Sequence, residues 1–465
     1  MTDLAQGKNE NILDNEKNNP LMSVIIISYN NAHYLHYAVN SVLKQSYNNI
    51  ELTISDDASV GCTVDNIAYQ FCWAVANWIY EKKSNFMKDI DRSWKKDKYD
   101  EHEEKECAER LLEEWKKETQ GSYEQVAFRI VKDYFPNIRK LTFLRNKENL
   151  GTVKHLKSLK KNANGKYLMF LAADDKLHDS EVVSDMVAYF ETLPEDAYVL
   201  TSQCGMYDEN LEKLNYYAVN DELKEIITKS TPMELFSELT DWCIIPAAGT
   251  IYKKKAFEVY GDLDERYHLI EDWTYFLKLT RACGKIYFYD RLTYMHRDGG
   301  ISHGNNTGGS LAYKYYLEDS ILLTQQEIFP YLNQLTFYQK IRALRRYRST
   351  CREYERKFKF SEMSAVNKIM FILKYGDYYF VKLIYGFLSF FEYRTKYCFE
   401  LGVGSLLGCL LLSISPVQNR WNNTLYYLSG LFGIALILFV LFINLLYFSL
   451  KVLKVLKKII KAVIK

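Results

Sequence analysis

Residues 22–59 read MSVIIISYNNAHYLHYAVNSVLKQSYNNIELTISDDAS, and their order decides the fold. Met22 to Ser28 is a short apolar run rich in β-branched residues, the pattern of a strand buried on both faces. Ala32 to Gln45 then carries Leu35, Ala38, Val39, Val42 and Leu43 at helical spacing. Ile50 to Ser55 is a second β-rich run, and it ends in Asp56-Asp57. Strand, helix and strand in so short a span form a βαβ unit, which implies a parallel sheet and an α/β fold.

Further along, KLTFLR (140–145) predicts a strand, and Asn149-Leu150-Gly151 precedes a helix reaching about Lys161. Tyr167 to Ala172 (YLMFLA) predicts another buried strand, running straight into Asp174-Asp175. A helix from Ser180 to Thr192 and a strand from Tyr198 to Gln203 follow. Residues 231–303 read as a second half, with helices over 232–240 and 270–282, a turn from Pro246 to Thr250 and a strand over 285–290. Between the two runs of sheet elements lies a helical insertion, about 62–138. Its Glu81 to Glu118 stretch mixes charges of both signs, and Trp73, Trp78, Trp94 and Trp115 lie in or beside it. The expectation is a solvated helical hairpin, and the sharper alternative is a cap that binds a partner or acceptor.

The chain has 465 residues, 48% of them hydrophobic and 25% charged, which suits a folded protein rather than a disordered one. A net charge of +2 argues against a nucleic-acid binder. The 9 cysteines are odd in number and scattered without a CxxC pair, so neither a disulfide framework nor a cysteine metal site is indicated, and a reducing compartment is the simpler reading. Residues 1–20 are polar and lack an apolar signal core, so they are expected to be a disordered leader.

The C-terminal third changes character. Residues 311–400 are basic, aromatic and helical, which suits a membrane-proximal region. Two uncharged apolar segments follow, 401–419 and 424–450. About 20 apolar residues span a bilayer. The second segment clears that length, whereas the first is short and broken by glycines and Pro416, which leaves a re-entrant course open. The tail, 451–465, places Lys451, Lys454, Lys458, Lys461 and Lys465 on one helical face, as a basic amphipathic helix on an anionic membrane does. The lysines place the tail in the cytoplasm, and the N-terminal part with it if both segments cross.

Ligands of open parallel sheets bind beyond the carboxyl ends of the strands. Here those ends carry Ser28-Tyr29-Asn30, Asp56-Asp57 and Asp174-Asp175. Taken alone, either aspartate pair also suits an Asx turn or a helix N-cap. Together they point to a nucleotide-and-metal site, with Asp174 and Asp175 as hard oxygen donors for Mg²⁺ or Mn²⁺. Glu271-Asp272 opens an amphipathic helix, where a carboxylate serves either the helix dipole or an attacking hydroxyl as general base. Tyr294 to Ser302 (YMHRDGGIS) is expected to be a loop, with His296 and Arg297 as cationic contacts to a diphosphate. No Walker A loop and no GxGxxG motif is present.

Four stretches carry a resemblance: 23–59 above, NLGTVKHLKSLKKNANGKYLMFLAADD (149–175), AAGTIYKKKAF (247–257) and EDWTYFLKL (271–279). Residues 21 to about 303 resemble the family 2 inverting glycosyltransferases of the GT-A fold, a Rossmann-like, mostly parallel sheet flanked by helices. The resemblance implies that Ser28, Tyr29, Asp56 and Asp57 hold the nucleotide base and ribose. It makes Lys154 a basic nucleotide contact, Asp174 the metal-binding aspartate of a DxD-like motif and Asp272 the catalytic base. Two positions depart from the pattern: Ala172 stands where an aspartate is common, and His155 where an asparagine is. The implied enzyme moves a sugar from a nucleotide-diphosphate sugar to a lipid-linked or glycan hydroxyl. A membrane anchor suits assembly of a bacterial surface polysaccharide, such as a capsule or O-antigen, at the inner or plasma membrane with the catalytic domain in the cytoplasm. The rivals are a polyprenyl-phosphate glycosyltransferase, which needs no base, and a non-catalytic scaffold, for which Ala172 argues.

Overall fold

The computed structural model describes residues 19–90, 101–119, 121–299 and 310–376. Its first strand, β1 (Met22–Ser28), is buried along nearly its whole length because both faces of the sheet are covered. A single 3₁₀ turn, Ala32–Tyr34, leads into α1 (Leu35–Leu43). Next come β2 (Ile50–Asp56), α2 (Val64–Ile90), α3 (Glu101–Thr119), α4 (Tyr123–Tyr134) and β3 (Ile138–Arg145). Then follow α5 (Thr152–Asn162), β4 (Tyr167–Ala172), β5 (Lys176–Leu177), α6 (Val182–Glu191), β6 (Val199–Tyr207) and β7 (Leu214–Tyr217). After α7 (Asp221–Lys229) and α8 (Pro232–Leu239) come β8 (Ile251–Lys253), α9 (Ala256–Val259), α10 (Glu271–Arg281), β9 (Ile286–Arg297) and α11 (Leu311–Leu323).

Among the described residues these strands form one sheet of nine, ordered β3-β2-β1-β4-β8-β6-β9-β5, with β7 paired antiparallel to the C-terminal end of β6 off this path. β1 runs parallel to β2 and β4, β2 to β3, and β6 to β9. The short β8 lies antiparallel between β4 and β6, so the six longest strands all point the same way. The register sets Ser28 beside Asp56 and Ile27 beside Ala172, so the polar segments that end β1, β2 and β4 emerge at one rim.

Alternation along β1 divides the core. Val24 and Ile26 face α1, α2, α4 and α6, whereas Ile25 faces α5, α8 and α10. The insertion is therefore not a solvated hairpin. Ile67, Phe71, Cys72 and Val75 of α2 and Val126, Ala127 and Ile130 of α4 are buried in the first layer, and Phe71 meets Phe143 of β3 edge to face at 5.7 Å. The charge-dense middle of the insertion hid this apolar stripe. The strand expected over 285–290 continues to Arg297, so Tyr294, His296 and Arg297 belong to β9 rather than to a loop. α7, β7 and β8 were not expected.

The chain divides into two compact units, Met1–Ala343 and Leu344–Lys465. Helix α12 (Phe337–Phe358) ends in the second, followed by α13 (Ala365–Lys374). There Lys374 pairs with Glu355 at 2.5 Å, and Phe371 is buried against Phe360 and Tyr375. Among the described residues no helix is long and apolar enough to cross a membrane. The leader, the apolar segments 401–419 and 424–450 and the tail 451–465 lie outside the described residues.

Candidate active site

The rim is knitted together by its own backbone. The Asp57 amide donates to the Ser28 carbonyl at 2.9 Å, and the Ala173 amide to the Ile27 carbonyl at 2.9 Å. Asp56 accepts the amide and hydroxyl of Ser59 at 2.7 and 2.5 Å, and the Ser59 Oγ in turn accepts the Asn30 amide at 2.7 Å. Asp56 thus does the work of an Asx turn, the local role such a pair also suits. Asn30 is exposed with φ +55°, the left-handed region that asparagine tolerates better than most residues. Tyr29 is exposed, whereas Ser28 is buried with its Oγ unpartnered.

Asp57 reaches the other way. It accepts the side-chain amide of Asn146 at 2.7 Å and the backbone amides of Leu150 and Gly151, each at 2.9 Å. Those bonds pin the start of α5, where Gly151 takes φ +77°. Beneath them His155 is buried, its Nε2 2.7 Å from the Ser55 hydroxyl. Burial pushes the His155 pKa down against the pull of Asp57 and Asp56, so the ring is a neutral core group at pH 7. Lys154 points outward from α5 and is exposed, with no hydrogen bond to the rim.

The second aspartate pair meets the end of β9. Asp175 Oδ2 accepts the Tyr294 hydroxyl at 3.0 Å and lies 2.8 Å from His296 Nδ1, while Oδ1 accepts the Arg297 amide at 2.8 Å. Tyr294 and His296 are two apart on a strand, so both side chains leave the same face and can share one carboxylate. Burial works against a charged His296, but the Asp175 carboxylate overrides it and holds the ring's pKa above its ordinary value. Asp174 Oδ2 accepts the Arg297 guanidinium at 2.9 Å, and that guanidinium lies over the Tyr34 ring, 3.9 Å from its centroid. Through Tyr34 and Arg297 the ends of β1, β4 and β9 converge on one spot. Tyr34 and Tyr294 are site residues that the sequence reading missed. For Tyr294 the available signal was the Tyr-x-His spacing.

These contacts bear on the expected Mg²⁺ or Mn²⁺. Both oxygens of Asp175 are occupied by protein donors, one oxygen of Asp174 is held by a guanidinium, and Ala172 supplies no ligand. Among the described residues no group of three or more His, Cys, Asp or Glu side chains is placed to hold a metal ion. The donor set at Asp174 and Asp175 does not fit a divalent cation.

Glu271 and Asp272 form a second acidic centre at the first turn of α10. Burial raises the Asp272 carboxyl to about 6, against the stabilising amides of Trp273 and of its own backbone. The Glu271 carboxyl is also pushed well above its ordinary value, first by burial and then by the charge of Asp272, and its Oε2 is buried without a partner. With its carboxyl raised to about 6, Asp272 is ionised at neutral pH. The loop before them is held by the buried Asp319 of α11, which accepts the amides of His268 and Leu269, each at 2.8 Å. Among the described residues no hydrogen bond or ion pair joins Glu271 or Asp272 to the aspartates of the rim.

Residues 23–71 and 102–261 match the family model described as glycosyl transferase family 2. The match supports a glycosyltransferase. It covers just under half of the chain, including Ser28, Tyr29, Asn30, Asp56, Asp57, Lys154, Asp174 and Asp175, and stops before Asp272 and Arg297. The gap falls inside the helical insertion. With its mixed sheet between layers of helices, the fold is GT-A-like.

No curated protein matches the chain. Among solved structures it is similar to Staphylococcus aureus TarS 1–349, at 15% identity and a TM-score of 0.41, over 77% of this chain and 80% of that one. The complex of TarS 1–349 with UDP-GlcNAc gives 16% identity and a TM-score of 0.41 over the same shares. The mannosyltransferase PcManGT from Pyrobaculum calidifontis, in complex with GDP-Man and Mn²⁺, gives 12% identity and a TM-score of 0.39 over 71% of this chain and 74% of that one.

Proposed function

We propose that the protein transfers a sugar from a nucleotide-diphosphate sugar to an acceptor hydroxyl, with inversion at the anomeric carbon. The observation that carries this reading is the half-buried, desolvated Asp272 at the start of α10, ionised at neutral pH yet a stronger base than an ordinary aspartate. Asp272 takes the proton of the acceptor hydroxyl as its oxygen bonds to the anomeric carbon. The bond from that carbon to the diphosphate breaks on the opposite face, and its electron pair leaves with the nucleoside diphosphate. The rim of Ser28, Tyr29, Asn30, Asp56 and Asp57 receives the nucleoside, with Lys154 at its outer edge. No step of this reading passes through a metal ion.

The acceptor is proposed to be a lipid-linked or glycan hydroxyl of a bacterial surface polysaccharide, such as a capsule or O-antigen. The apolar segments 401–419 and 424–450 support a membrane site of action with the catalytic unit in the cytoplasm. On α13, Val366, Ile369, Met370 and Leu373 stand exposed on one helical face, which supports a membrane-proximal second unit.

The decisive variant is Asp272→Asn. It is expected to fold and bind nucleotide but to lose on the order of 10²- to 10⁴-fold in transfer rate. Near-normal turnover on a hydroxyl acceptor would remove Asp272 as the base. Retained turnover on a polyprenyl phosphate would instead favour that already ionised nucleophile.

A further inference from the structure

The carboxylates expected to hold a cation are already facing one. Arg297 is only 5% exposed, and its guanidinium is fixed on three sides by Asp174 Oδ2 at 2.9 Å, the Asp298 carbonyl at 3.0 Å and the Tyr34 ring. Arginine has five N–H donors in a planar fork. The two bonds above leave most of them unused, and its Nε is buried without a partner. The Ser28 Oγ is a second buried polar atom without a partner on the same rim. Unpartnered buried donors are uncommon, because each costs desolvation that nothing returns. A diphosphate oxygen satisfies such a donor and brings the negative charge that a guanidinium binds best.

We infer that Arg297 is the cation that neutralises the donor's diphosphate in this protein, in place of a divalent metal ion. The inference rests on the nucleotide-sugar reading above and deepens it. Asp174 is then a positioning residue rather than a metal ligand: with Tyr34 it holds the guanidinium in place. Asp175 serves the same end through the Arg297 amide and His296. Ala172 fits this arrangement, because a third carboxylate beside Asp174 would compete with the diphosphate for the guanidinium.

The test is titration of the full-length, detergent-solubilised protein with UDP and GDP, in EDTA and in Mn²⁺, with Mn²⁺ alone followed by electron paramagnetic resonance. At least one nucleoside diphosphate is expected to bind equally well in EDTA and in Mn²⁺, and Mn²⁺ alone to show no stoichiometric site. Arg297→Gln should weaken that binding on the order of 10- to 100-fold, as loss of a charge-assisted phosphate contact does, and Arg297→Lys should recover part of it. Asp174→Asn, which would destroy a metal site but keeps an oxygen that accepts the Arg297 guanidinium, should bind in EDTA about as tightly as the parent. That variant carries the test should Arg297→Gln fail to fold. Binding that appears only with Mn²⁺ and is lost in Asp174→Asn would overturn the role of Arg297 and leave the transferase reading standing. Absence of binding to any nucleoside diphosphate or nucleotide sugar, with or without Mn²⁺, would remove both.

Discussion

At the scale of single residues, the protein separates two uses of a carboxylate. Asp56, Asp57 and Asp175 each meet two or three protein partners and hold the rim in shape, whereas Asp272 is half-buried and desolvated, with only backbone amides to offset the cost of its charge. That difference should be visible in pH dependence. Protonation of Asp272 removes the base, so kcat/KM is expected to fall as pH drops through about 6, far above the ordinary aspartate value of 3.8. The same shift has a cost in stability. Between 3.8 and about 6 the native state binds more protons than the unfolded chain, so unfolding free energy declines as pH rises through that window and the penalty is complete above it. Asp272→Asn removes the charge but keeps the shape. Its melting temperature at pH 7.5 should exceed that of the parent, and the advantage should vanish near pH 4. A variant that is equally stable at both pH values would show that burial is not what raises the Asp272 pKa.

At the scale of elements, the helical insertion is part of the core that supports the rim. Phe71 of α2 is fully buried against β3, the strand whose end faces Asp56 in the sheet register. Phe71→Ala is expected to cost about 3–5 kcal/mol in urea unfolding, the range for large cavities in packed cores. A solvated hairpin would lose well under 1 kcal/mol for the same change. The apolar spacing of Ile67, Phe71 and Val75 was present in the sequence, but the charge-rich stretch that follows overwhelmed it. By contrast, β1 and β4 were legible to the residue, because strands covered on both faces read as unbroken apolar runs. β8 has only 3 residues, too few to show a period, and β7 is an edge whose tyrosines face solvent. The end of β9 reads as a loop because Tyr294, His296 and Arg297 are polar. They form a strand because Asp174 and Asp175 answer their polar groups, and that pairing becomes visible only once two distant segments are placed side by side. Of the site, the sequence shows which residue types gather at the strand ends. It does not show that these aspartates are already engaged by protein donors.

For the whole molecule, the question is why a sugar-transfer unit is joined to a second unit so rich in cationic and apolar surface. Within Leu344–Lys465, α13 exposes Val366 (68%), Ile369 (44%), Met370 (58%) and Leu373 (68%), one apolar face with Lys368 and Lys374 beside it. The preceding stretch, KIRALRRYRSTCREYERKFKF (340–360), is strongly basic. A lysine or arginine near an anionic leaflet contributes about 1 kcal/mol, and exposed apolar side chains add by entering the headgroup layer. A chain ending at residue 376 lacks both apolar segments but keeps this surface. It should float with vesicles containing anionic lipid at low salt, be released at high salt, and ignore neutral vesicles. Ile369→Glu with Leu373→Glu should abolish flotation without shifting the melting temperature, because both positions face solvent. If the truncated chain stays in the aqueous phase with anionic vesicles at low salt, the second unit does not dock on the bilayer. Membrane attachment would then fall to residues 401–465 alone.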